Sequence, residues 1–149
     1  NGLVAIIHNR KLDLNVERKT SRGQVILEIL KYTKVNDSLK YLKDLDRYNY
    51  NNFNLLIASY CECYWIKHDI NNNHLIIQKI EKGLSIITDK DLNDRNDIKI
   101  DFYFQLFSSL NIPSPSENNW EIELDLGYYP YPDYEPMEFW GVKSSEDIY

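Results

Sequence analysis

The chain opens on an apolar run, Gly2-Leu-Val-Ala-Ile-Ile-His8, too short for a helix and without polar alternation, which predicts a strand covered on both faces. Asn9 and Arg10 end it. Ser21-x-x-Gln24 ahead of Val25, Ile26, Ile29 and Leu30 has the form of a capping box, with the Ser21 hydroxyl accepting from the backbone near Gln24 and opening an amphipathic helix. A second helix is predicted from Asn36 or Asp37, because Leu39, Leu42 and Leu45 recur every three residues and keep one stripe apolar while the lysines face out.

From Asn54 the period changes. Asn-Leu-Leu-Ile-Ala-Ser59, Cys63-Tyr-Trp-Ile-Lys-His68, Leu75-Ile-Ile-Gln-Lys-Ile80 and Leu84-Ser-Ile-Ile-Thr88 read as four strands. One strand from Asn54 to His68 would exceed the usual length, so a turn is expected at Tyr60 to Glu62. Asn and Gly tolerate the positive φ of tight turns, so Asp69 to Asn73 and Glu81 to Gly83 supply the next two. Asp97 to Ser109, carrying Ile98, Phe102, Leu106 and Phe107, closes the series as a helix. Strand, two helices, meander and helix together predict an α+β fold, mostly antiparallel sheet with helices on one face.

Composition adds limits. The 149 residues, 43% hydrophobic and 27% charged, suffice for one domain with a core. Of the 23 acids and 17 bases, residues 117–149 hold nine acids and one base, leaving fourteen acids and sixteen bases before them. All five prolines lie in the last third, from Pro113 to Pro136. Residues 113–149 are therefore expected to form a Pro-rich, acidic tail, packed on a body of residues 1–112 through Trp120, Tyr128, Tyr129, Tyr131, Tyr134, Phe139 and Trp140. No apolar stretch is long enough for a membrane helix and no signal peptide is visible, so a cytoplasmic protein is expected. A net charge of −6 argues against a nucleic-acid surface. The first residue is Asn1, with no Met, and the opening strand follows at once, as expected of a piece of a longer chain.

Motifs for common chemistries do not occur. There is no Walker A loop, dinucleotide glycine turn, G-x-S-x-G elbow, H-E-x-x-H or EF-hand loop. Cys61 and Cys63 do not make a disulfide framework, and they read as buried or half-buried thiols. His8, His68 and His74 share no ligand spacing, so neither a metal nor a cofactor is expected. The acid pairs Asp44/Asp46 and Asp89/Asp91 sit in polar surroundings and read as solvated carboxylates. The aromatics of Tyr48 to Phe53 and Tyr128 to Tyr134 lack interleaved bases and read as packing groups.

Taken in order, Gly2-Leu-Val-Ala-Ile-Ile-His-Asn-Arg10, Ser21-Arg22-Gly23, Phe53-Asn-Leu-Leu-Ile-Ala58, Tyr64-Trp-Ile-Lys-His-Asp69 and Gly83-Leu-Ser-Ile-Ile-Thr-Asp89 resemble the central part of the NRDE family, also called transport and Golgi organisation protein 2. The resemblance covers residues 1–110. It implies part of an αββα sandwich like that of N-terminal-nucleophile hydrolases. The cysteine nucleophile of such enzymes, activated by its own α-amine, would lie upstream of Asn1. Gly2 to Asn9 also resembles the strand of conjugated bile acid hydrolases and penicillin V acylases whose Asn donates to the oxyanion, which implies that role for Asn9. Such a donor contributes about 3 kcal/mol when rigid and dry. The second donor position falls at Thr88-Asp89. An ionised carboxylate only accepts, so Asp89 would have to stay protonated to serve. His8 and Arg10 are expected to line the same cleft and hold substrate.

The function implied is hydrolysis of a non-peptide C–N amide bond. The alternative is a non-catalytic lipid, acyl or haem binding and trafficking protein on the same scaffold. Both imply a small amide, acyl or haem-like ligand. A third reading is an α+β domain whose aromatic, acidic tail docks on a partner.

Overall fold

A computed structural model describes residues 2–11, 20–72 and 74–109. The expected tail of residues 113–149 and the start at Asn1 lie outside the described residues. The element order is β1 (Val4–Asn9), α1 (Gly23–Ile29), α2 (Val35–Lys43), a 3-10 turn (Arg47–Asn49), β2 (Phe53–Ala58), β3 (Cys63–His68), β4 (Ile76–Ile80) and α3 (Ile98–Ser109). The four strands form one sheet in the order β1-β2-β3-β4, antiparallel throughout. The α+β class and the antiparallel sheet are thus as expected. The described residues form a single sheet and do not build the second sheet of an αββα sandwich.

Side chains alternate across a strand, so register assigns each residue to a face. Ala5 and Ile7 on β1 lie opposite Ile57 and Leu55 on β2, which lie opposite Tyr64 and Ile66 on β3. These residues share the inner face with Phe53. Against it pack Val25 and Ile29 of α1, then Val35, Leu39 and Leu42 of α2, then Tyr50, in one hydrophobic cluster. The spacing of Val35, Leu39 and Leu42 puts all three on one stripe, while Asn36, Lys40 and Lys43 are exposed. Asp37 in the first turn of α2 and Lys40 and Lys43 in the last complement the helix dipole. Buried Ser38 donates through Oγ to the Ile29 carbonyl at 3.0 Å, which joins α2 to the end of α1.

Three local expectations are corrected. Among the described residues β1 is an edge strand that pairs only with β2, and it is not doubly covered, since Val4 and Ile6 are 58% and 45% exposed. An apolar run reports low polarity and does not report how many layers cover it. The capping box does not form, because Ser21 Oγ accepts from Gly23 N at 3.3 Å and Arg22 occupies the cap without a side-chain capping bond, its guanidinium donating instead to the Asn52 carbonyl. Leu84 to Thr88 is not a strand. The chain turns at Gly83, with φ of 126°, and Ile86 is then bonded by Asn93, whose N–H donates to the Ile86 carbonyl at 3.0 Å and whose Oδ1 accepts from Ile86 N at 2.7 Å. Both backbone groups of Ile86 are used in that loop, so no ladder to β4 is made. Asn93 sits at φ of 55°, which asparagine tolerates better than most residues.

Of the two cysteines, Cys63 is half-buried as expected, and Cys61 is exposed. Among the described residues no helix is long and apolar enough to cross a membrane.

His68 is fully buried on the inner face, its ring 5.0 Å from that of Phe53. Its Nε2 lies 3.2 Å from the Tyr50 carbonyl, which can only accept, so Nε2 carries the proton. Burial pushes its pKa below 6.5; the Tyr50 carbonyl opposes that shift and the Arg47 cation adds to it. Below 6.5 the unfolded chain takes up a proton that the folded ring resists, so this contribution is complete above 6.5 and declines as the pH falls toward the lowered folded value. Urea unfolding should show a lower midpoint at about pH 5.5 than at about pH 7.5, with a smaller difference in His68→Gln, whose amide still reaches for Tyr50. An equal slope in both proteins would count against the assignment. Leu42→Ala, which opens a cavity where the side chain is fully buried, should cost about 2–5 kcal/mol in the same assay.

Candidate functional site

The polar groups converge on the outer face of the sheet, at the end of β1. His8 is opposite Asn54 in the β1–β2 register, and Asn54 is opposite Lys67 in the β2–β3 register, so all three fall on this face. Asn54 has no exposed surface. A buried carboxamide without partners is costly, and here every function is used. Its Nδ2 donates to the carbonyls of Thr88 and Lys90 at 2.6 and 2.5 Å, and its Oδ1 accepts from Arg10 Nη1 at 3.0 Å. The segment after Gly83 is thereby held across the outer face.

Asp91 completes the cluster. One of its carboxylate oxygens lies 2.8 Å from Arg10 Nη2 and 2.7 Å from Lys67 Nζ, and the other accepts from Lys67 Nζ at 2.8 Å. The cationic side chains are only 14% and 13% exposed, against 47% for the carboxylate. Partial burial pushes the Asp91 pKa up, but the Lys67 hydrogen bond and the Arg10 and Lys67 charges outweigh it and leave it below 3.8. A carboxylate held ionised by two cations is a weak proton acceptor. The geometry makes it a clasp between two strands and a loop, and no general base.

The four residues expected at a site are dispersed. Arg10 is in the cluster, bound to Asn54 and Asp91. His8 is exposed on the same face. Asn9 is exposed and opposite Phe53, hence on the inner face, whereas the Thr88 and Lys90 carbonyls that flank Asp89 meet Asn54 on the outer face. Register thus sets Asn9 on the inner face, while the backbone on either side of Asp89 is bonded on the outer face. Asp89 is half-buried in a bend, and not at a strand end. The residues that do converge, Asn54, Lys67 and Asp91, carry one sequence signal: a polar side chain inside an otherwise apolar strand, Phe53-Asn-Leu-Leu-Ile57 and Trp65-Ile-Lys67. Asp91, read as solvated, is ion-paired.

The burial that pushes up the Cys63 thiol works against a thiolate there. Among the described residues no group of three His, Cys, Asp or Glu could hold a metal ion.

The family model that matches this chain is that of the proteasome activator PA28, C-terminal, over residues 9–85. No curated protein matches, and no solved structure does. The match overturns the resemblance to the NRDE family. The hydrolase function, its trafficking alternative and the Golgi association were implied by that resemblance alone, and they go with it. So does the small amide, acyl or haem-like ligand.

Replacing Asp91 by Asn should leave two nearly buried cations with a poorer partner. Because the carboxylate is itself half exposed, water screens the pair, and the expected loss is about 1 kcal/mol at neutral pH. The sign follows from the lowered pKa: the stabilisation is present above the unfolded value near 3.8 and lost as the pH falls through the folded one. Unfolding measured at neutral pH and at about pH 3 should thus show the two proteins converging in acid. A constant gap between them would remove Asp91 from this role.

Proposed function

The chain belongs to the proteasome activator PA28 C-terminal family, and from that membership we propose that it is a non-catalytic regulator that binds a proteasome and raises its peptide hydrolysis. The observation that carries the reading is the extent of the match. Residues 9–85 run from the last residue of β1 through α1, α2 and the three remaining strands, and they include all of the buried hydrophobic cluster.

The polar chemistry supports the same reading. Asn54, Arg10, Lys67 and Asp91 spend their hydrogen-bonding capacity on one another and on the backbone of the crossing segment. Such a network fixes surfaces and offers a substrate nothing to react with. A regulator works through differential affinity for two states of its partner, and rigid presentation of a surface is what that requires. A cytoplasmic location goes with this role.

The test is to add the full chain to a purified proteasome and follow cleavage of a short fluorogenic peptide. The expected result is a rate that rises and saturates with added chain, together with comigration of the two proteins on size exclusion. Comigration without a change in rate, or neither effect, would each sink the proposal.

A further inference from the structure

A cleft of about 600 Å³ opens where α2 and the 3-10 turn meet the beginning of β4, away from the Asn54 cluster. Lys43, Arg47, His74, Leu75, Ile76 and Ile77 line it. Every titratable side chain in that lining is a base, and no carboxylate is among them. Lys43, from the last turn of α2, and His74 are exposed. Arg47 donates through Nη1 to the Asn72 carbonyl at 3.1 Å and lies over the Tyr48 ring, 6.0 Å from its centroid. Its apolar lining comes from Leu75 and from Ile76 and Ile77 at the start of β4.

Among the described residues that strand stands last in the sheet and pairs with β3 alone. An edge strand presents a row of backbone donors and acceptors that a further extended chain can take up. Side chains of a chain added there would alternate between the two faces. Those on the inner face would point toward the side occupied by α2 and the 3-10 turn, where Lys43 and Arg47 stand. The edge selects an extended backbone, the leucine and isoleucines select apolar positions, and the bases select acidic ones.

We propose that this edge and cleft take up an extended acidic segment of a partner protein as an added strand beside β4, with its carboxylates facing Lys43, Arg47 and His74. Charge complementarity identifies the occupant. The full chain carries a net charge of −6, so the attraction comes from the local group of bases at the cleft and not from net charge. A nucleic acid would answer the three bases but would leave the strand edge and its apolar side chains uncovered. The inference stands apart from the proteasome reading, since neither its residues nor its assay depends on that activity.

The experiment uses the full chain and a labelled, end-blocked peptide alternating glutamate and valine, followed by fluorescence anisotropy. Binding should occur and weaken as salt rises. The double variant Lys43→Glu with His74→Glu, both exposed positions, should bind at least about tenfold more weakly. Lys99→Glu, an exposed position on α3, should leave affinity unchanged. A peptide of the same sequence N-methylated at alternate residues, unable to complete a strand ladder, should lose binding. Equal binding of a lysine–valine peptide, unaltered binding to the double variant, full binding of the N-methylated peptide, preferential binding of an oligonucleotide, or no binding at all would each overturn the proposal. Far-ultraviolet circular dichroism of the double variant, unchanged from the parent, assigns a loss to charge and not to unfolding.

Discussion

The side chain of Asn54 sets how the outer side of this sheet is organised. It stands on a central strand, between neighbours whose side chains fill the hydrophobic cluster on the other face, and it has no exposed surface. A carboxamide in that position must find two acceptors and a donor inside the protein, or the desolvation cost falls on folding. The acceptors come from the backbone of Thr88 and Lys90 and the donor from Arg10. Once those three bonds are made, the segment after Gly83 lies across the sheet, and Asp91 arrives between Arg10 and Lys67. The ion pairs are thus a consequence of where the amide holds the loop. Exposed pairs of this kind contribute little by themselves, whereas the buried amide bonds are expensive to leave unmade.

The same constraint explains what could be read in the sequence and what could not. Helices α1, α2 and α3 and strands β2, β3 and β4 were legible because each carries its own period or β-rich apolar run, and turn residues such as Asp69 and Asn71 separate them. Leu84 to Thr88 has the same apolar character, yet it is drawn out of the sheet by Asn93 and Asn54, partners on other segments. No local pattern reports that competition. The coverage of β1 was illegible for a related reason: Val4 and Ile6 look like core residues in the sequence, yet they are exposed on the face opposite the hydrophobic cluster.

The candidate site was less legible still. A resemblance built on the order of short apolar segments pointed to Asn9 and Asp89, but order is shared by any strand, helix and meander arrangement of this size. Alternation then puts Asn9 on the inner face, away from the loop that carries Asp89. The residue with the burial and the bonds is Asn54, which the sequence pattern marks only as part of a strand segment. Its signal was physical: an amide in the middle of Phe-Asn-Leu-Leu-Ile must either face water or be satisfied, and a central strand leaves it no water.

Those arrangements leave the two faces of the sheet unequal, and the inequality bears on function. The inner face is closed by α1 and α2 over a continuous hydrophobic cluster. On the outer face the Thr88 and Lys90 carbonyls are bonded to Asn54, Trp65 is buried, and Val4 and Ile6 are exposed on β1, while Lys43, Arg47 and His74 line the cleft beside β4. A hydrolase needs a concave, water-excluding site with groups of matched pKa. Here His68, whose titration is shifted, sits inside the core, and Asp91 is tied into an ion-paired clasp. The bonds of Asn54 and Asp91 tie the loop to the sheet, and among the described residues β1 and β4 stand at its two edges. Recognition through edges and charge is the chemistry such an arrangement favours, and it agrees with membership of a family named for activating a larger assembly.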